Sequence, residues 1–111
     1  MVNKGDKAKA GLPAQAGYEY LLAYKITVPI YDYTVEFCKL HFPYHPNHPD
    51  RTRDQMVQAA RSAMSNIVEG NKHVSLKGYI YLVGIARGSL EELLKDYHAF
   101  ARHRKAISQA N

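Results

Sequence analysis

One cysteine, no tryptophan and no apolar run long enough to cross a bilayer are the first features of this 111-residue chain, and each excludes something. The single thiol, Cys38, cannot close an internal disulfide, so a disulfide-stapled scaffold is excluded and nothing points to an oxidising compartment. A membrane span needs about 20 consecutive apolar residues, and none is present, so no membrane partner is implied. The lysines of the first 17 residues are followed by no hydrophobic block, which argues against a secretory signal and leaves the cytoplasm as the default expectation. No glycine loop of the phosphate-cradling kind and no Gly-x-Ser-x-Gly elbow occurs, so no cofactor is expected. Ser62, Ser65, Ser75, Ser89 and Ser108 pair with no evident histidine base, and the expectation is a protein that is not an enzyme.

An excess of acid is also missing. Fifteen Lys and Arg stand against ten Asp and Glu, for a net charge of +5. The excess lies at the two ends: Lys4, Lys7 and Lys9 against Asp6 at one, and Arg102, Arg104 and Lys105 at the other. Between Tyr18 and Asp96 the signs cancel, so a basic footprint has to come from the termini or from uneven distribution. Copies of the chain assembled with their ends on one side would gather these charges into a ring.

What is present is helical periodicity. In Gln55–Gly70, Met56, Ala59, Ala60, Ala63 and Ile67 recur at three- and four-residue spacing; after Ser75, so do Tyr79, Leu82, Ala86, Leu90 and Leu93. Each segment has one face to bury, and the short link between them makes an antiparallel αα-hairpin. Asp50 or Thr52 is expected to cap the first of these helices, Gly70 to stop it in a left-handed conformation, and Ser75 to cap the next, which should reach about His103. Gly84 and Gly88 each cost up to about 1 kcal/mol inside that helix. With the reversal near residue 73 they fall opposite Ser62 and Ala63, and opposite Gln58 and Ala59, so close approach of two backbones is the expected compensation.

Upstream, residues 18 to 42 carry two stripes. One runs through Leu22, Ile26, Ile30, Tyr33, Phe37 and Leu40. The other runs through Tyr20, Tyr24, Thr27, Tyr31, Val35 or Thr34, and Cys38. A helix with one buried side does not need both, so the second stripe, Tyr20, Tyr24, Tyr31, Val35 and Cys38, is expected to form an oligomer interface; base stacking is its less ordinary fate. Pro29 removes one backbone donor and should bend this helix. The loop Pro43–Pro49 follows. Its histidines His45 and His48, with His41 and Asp50, have metal-ligand composition without the spacing of a zinc motif, and a solvated cluster is the reading preferred over a metal site. Asn66 and Glu69, near the end of the second helix, read as a clasp: Asn66 to backbone in the turn, Glu69 to the amides near Ser75 or to Lys72. The alternative is a polar ligand site made of Asn66, Glu69 and Lys72.

The domain reading is therefore a flexible tail over 1–17, a helical bundle over 18–105 and a short tail over 106–111. The fold class is all-α: an up-down antiparallel bundle with three long helices.

Three blocks carry a family resemblance: Gln55-Met-Val-Gln-Ala-Ala-Arg-Ser62, Asn66-Ile-Val-Glu-Gly70 and Ala86-Arg-Gly-Ser-Leu-Glu-Glu-Leu93. They resemble the bacterial four-helix-bundle family first met in intervening sequences of large-subunit ribosomal RNA genes. Gly17-Tyr-Glu-Tyr-Leu-Leu22 with Tyr31-Asp-Tyr-Thr-Val-Glu-Phe-Cys38 looks like its four-helix-bundle suffix-domain branch. The resemblance covers residues 17 to 104 and implies an up-down bundle, a homo-oligomer that is often a pentamer, and no known catalytic residues. A related bundle, the accessory protein of diversity-generating retroelements, is a basic pentamer that binds a reverse transcriptase and RNA. The family's fourth helix has no counterpart after Arg104, so the chain is shortened, or its third helix breaks and returns, or a neighbouring copy fills the vacancy. The expected function is a non-enzymatic assembly module that binds RNA or DNA, or a nucleic-acid enzyme such as a reverse transcriptase, with Arg102, Arg104, Lys105, Lys72 and Lys77 as contacts. The alternative is a purely structural protein–protein oligomerisation domain.

Overall fold

A computed structural model describes residues 14–47, 51–72 and 75–110, with side chains from residue 21 onward. The described residues form three helices and no strand: α1 (Ala14–His41), α2 (Arg51–Lys72) and α3 (Leu76–Ala110). The expected tail lies outside the described residues up to residue 13, as do His48, Asp50, His73 and the side chain of Tyr20. Helix α1 begins ahead of Tyr18 and runs unbroken through Pro29, and α3 continues past His103 to Ala110.

The hairpin of α2 and α3 is built as the periodicity predicts. Met56, Ala59, Ala60, Ala63 and Ile67 are all buried, and Ala86 and Leu93 face them from α3. Ser75 caps α3: its hydroxyl accepts from the Gly78 amide at 3.1 Å and its carbonyl from Tyr79 at 3.1 Å. Full burial of a side chain the size of Met56 contributes about 1.5–3 kcal/mol.

The turn differs from expectation. Gly70 is neither left-handed nor a stop; no described glycine has a positive φ, and α2 continues to Lys72. Gly70 is buried against α3, where an added Cβ would lie 3.5 Å from the Leu82 Cβ. Because the helix overruns Gly70, the reversal falls nearer residue 75, and Ser62 faces Ser89 with their hydroxyls 2.9 Å apart. Gly84 and Gly88 are off the seam because, at 100° per residue, they lie on the side of α3 opposite to buried Ala86 and Leu93. Both are exposed, and a Cβ on either would meet nothing within 4 Å. Close backbone approach is therefore not what offsets these two glycines.

Helix α1 buries part of the stripe expected to meet another copy, although Tyr24 of that stripe stays exposed. Thr27, Thr34 and Cys38, from the stripe expected to face another subunit, are buried against the hairpin, and Tyr31 and Val35 are partly buried with them. Cys38 is 1% exposed and shares a cluster with Met56, Ala59, Ala60 and Leu93, so it has no surface to offer an interface. The physical reason is size. The alanine-lined face of α2 admits a partner with small side chains, and this stripe supplies two threonines and a cysteine. Thr34 remains satisfied because its hydroxyl shares a 2.7 Å hydrogen bond with the Tyr97 hydroxyl on α3. The bulkier stripe is divided: Leu22, Ile26, Tyr33 and Leu40 are exposed, while Ile30 and Phe37 are partly buried against the core. Between α1 and α3 runs an open apolar groove of about 420 Å³ lined by Pro29, Ile30, Tyr33, Leu94 and Tyr97. No described helix is long and apolar enough to cross a membrane.

Candidate nucleic-acid interface

The end of the bundle where α1 stops, α2 starts and α3 runs on is held by rings. Phe37 meets Tyr97 edge-on at 4.8 Å and Phe100 at 4.9 Å. The His41 ring lies between Phe37 at 4.6 Å and Phe100 at 4.7 Å, and Phe42 closes the cluster at 5.8 Å from Phe100. Arg53 stacks 5.2 Å above Tyr44 from the start of α2. Burial pushes the Tyr97 phenol above its ordinary value, although its hydrogen bond to Thr34 opposes the shift. The cluster ties all three elements together and fixes the direction in which α3 leaves the bundle.

Beyond this cluster every residue of α3 from Ala101 to Ala110 is exposed. Arg102, Arg104 and Lys105 therefore stand on a helical overhang. Lys39, Arg51 and Arg53 are added from the ends of α1 and α2. Lys39 and Arg53 are offset by their ion pairs to Glu36 at 3.3 Å and Asp54 at 3.4 Å, so the net positive charge of this end rests on the overhang and Arg51. Such a surface can bind phosphates by neutralising charge and releasing counterions.

Lys72 and Lys77 lie elsewhere. Lys77 stands in the first turn of α3, about 37 Å from Arg102 along the helix at 1.5 Å per residue, and the Lys72 ammonium is 3.5 Å from Glu69. One compact surface cannot contain all five predicted contacts. Glu69 makes the expected pair with Lys72, but Asn66 does not reach the turn; its amide donates back to the Ser62 carbonyl at 2.8 Å and hydroxyl at 3.2 Å. Asn66, Ser62 and Ser89 form a polar seam within the hairpin. Of the loop histidines, His41 is held among the aromatic rings, while the Nδ1 of His45 accepts from the Asn47 amide at 3.3 Å. Among the described residues no group of three or more His, Cys, Asp or Glu side chains is arranged to hold a metal ion.

The flank between α2 and α3 has the opposite character. An open groove of about 780 Å³ is lined by Asp54, Gln55, Gln58, Ser62, Ser89, Glu92, Lys95 and Asp96. Partial burial, reinforced by the charge of Glu92, raises the Asp96 carboxyl above the ordinary carboxylate value. Carboxylates repel phosphate, so this flank is a poor nucleic-acid surface and the basic end is the better one. Sequence reasoning missed Lys39, Arg51 and Arg53 because adjacent acids cancelled them in the count. The available signal was position, since all three flank the loop that the helices converge on.

A search of curated proteins and a search of solved structures each return no match. The model of one family, described as 23S rRNA-intervening sequence protein, matches residues 20–111 and so takes in all of α2 and α3 and most of α1. Its description names an RNA and no reaction. This chain belongs to the 23S rRNA-intervening sequence protein family.

Proposed function

We propose that this protein is a non-enzymatic, self-assembling helical module that binds RNA through the basic end of the bundle. The observation that carries this reading is the overhang of α3, which holds Arg102, Arg104 and Lys105 exposed at the end of the bundle where Arg51 opens α2. The family's link to ribosomal RNA sequences supports RNA as the ligand. Self-assembly is supported by Leu22, Ile26 and Tyr33, exposed on α1 beside the apolar groove to α3; a second copy of the chain is the occupant proposed for that face. A closed ring of copies would bring the basic ends together.

Filter binding to RNA over a salt series tests the proposal. Log affinity should fall linearly with log salt, with a slope of about −0.7 per single-strand phosphate neutralised. No binding at low salt, or a flat response, overturns it. The same exposed apolar face favours a second reading, an oligomerisation domain with protein partners alone. That reading gains if light scattering shows assembly while RNA binding is absent.

A further inference from the structure

The shape of the overhang says more about its ligand than its charge does. Arg102, His103, Arg104 and Lys105 are consecutive, and on a helix consecutive side chains leave the axis about 100° apart. Four cationic or protonatable groups therefore encircle the rod instead of lining one side. All four are exposed, and no carboxylate follows Asp96 in the sequence. A flat phosphate surface could meet only half of this belt. A groove with phosphates on both walls could meet all of it.

Two further observations separate the belt from ordinary helix stabilisation. Cations favour the last turn of a helix, where they offset the dipole, but the last turn of α3 holds none. The belt sits one turn further in, with the Arg104 guanidinium braced 5.6 Å from the centroid of the Phe100 ring. Moreover, apart from the Arg104–Phe100 contact the ten residues of this segment are all exposed and gain little from packing. A ligand that surrounds the segment would supply the missing contacts.

We infer, resting on the RNA-binding reading above, that the Ala101–Ala110 segment of α3 enters the major groove of an RNA stem widened by a bulge or internal loop. The deep groove of a regular A-form duplex is too narrow for a side chain to read, and a helix with its side chains is about 10–12 Å across. A regular stem would exclude this rod, and a single strand would offer only one row of phosphates. An interrupted stem opens the groove and keeps both walls. The overhang, about 15 Å long at 1.5 Å per residue, fits a local opening of that kind.

Fluorescence anisotropy on the full chain, with four probes of equal length at one salt concentration, tests this. The probes are a single-stranded RNA, a fully paired RNA stem, the same stem with a three-nucleotide bulge, and a B-form DNA duplex. The bulged stem should bind at least tenfold more tightly than each of the others. Arg102→Ala, Arg104→Ala and Lys105→Ala should each weaken it several-fold. Ala106→Pro, which keeps every charge but breaks the turn back to residue 102, should weaken it by at least as much, with the rest of the helical signal retained in circular dichroism.

Equal or tighter binding of the single strand or the regular stem overturns the groove assignment while the RNA-binding proposal stands. Tighter binding of the DNA duplex overturns RNA as the groove's owner. An Ala106→Pro variant that binds like the parent shows that charge without a helix suffices, and also overturns it. No binding to any probe at low salt removes the RNA-binding proposal itself.

Discussion

Replacing Gly84 and Gly88 by alanine is expected to stabilise the chain. Each glycine sits inside α3, where it is less favourable than alanine by about 0.8–1.0 kcal/mol. Neither position has anything within 4 Å of the methyl that would be added, and neither has a positive φ that alanine would resist. Nothing in the structure therefore opposes the propensity gain. The two sites are neighbours on the helix surface, but the gain at each is a backbone propensity with no contact behind it, so together they should give about 2 kcal/mol. For a domain of this size about 1 kcal/mol moves Tm by 4–8 °C, and the double variant should melt about 10 °C above the parent. Circular dichroism melts at several protein concentrations measure it. A Tm that is unchanged or lowered at every concentration would refute the reasoning. A loss that grows with concentration would instead place another copy against these glycines.

Two other expectations rest on single contacts. Tyr97→Phe leaves the buried Thr34 hydroxyl without its partner and should cost about 1–2 kcal/mol in urea denaturation; in a cycle with Thr34→Val the double variant should lose clearly less than the sum, and strict additivity would show that the two hydroxyls are not coupled. Asp96→Asn should stabilise the fold at pH 7, by no more than about 0.5 kcal/mol because solvent screens a partly exposed group. The sign follows from the raised carboxyl: the ionised form is disfavoured in the fold, and that penalty is relieved as pH falls through the folded value. The advantage of asparagine should therefore shrink as pH falls and vanish about one unit below the unfolded value, near pH 3, and an undiminished gain there would contradict the cause assigned to it.

Much of this architecture is legible in the sequence where one face of a helix is unambiguous. The small apolar series from Met56 to Ile67 has a single solution, and all five residues are buried. Helix α1 is different because both of its stripes are apolar enough to bury. What decides between them is the fit of Thr27, Thr34 and Cys38 to the alanine-lined face of α2, with the Thr34 hydroxyl satisfied by Tyr97 63 positions away, and no local pattern announces that match. The hairpin register was lost for a related reason. Gly70 carries the signature of a helix stop, but packing against Leu82 keeps it helical, and the level of residues across the hairpin says nothing of Gly84 and Gly88, which the phase of Ala86 and Leu93 puts on the outer face. The overhang is only half visible: its charges stand in the sequence, but the exposure of residues 101–110 is a property of how far α2 and α1 extend.

Cys38 gives the protein a built-in clock. It is the sole thiol of the chain, and it lies where α1 closes on the hairpin, among Met56, Ala60 and Leu93. A thiol reagent can reach it only when α1 swings away or the whole chain unfolds. The rate of its modification therefore reports how often the first helix undocks, and comparing that rate with global unfolding would reveal whether the hairpin survives alone in the interval.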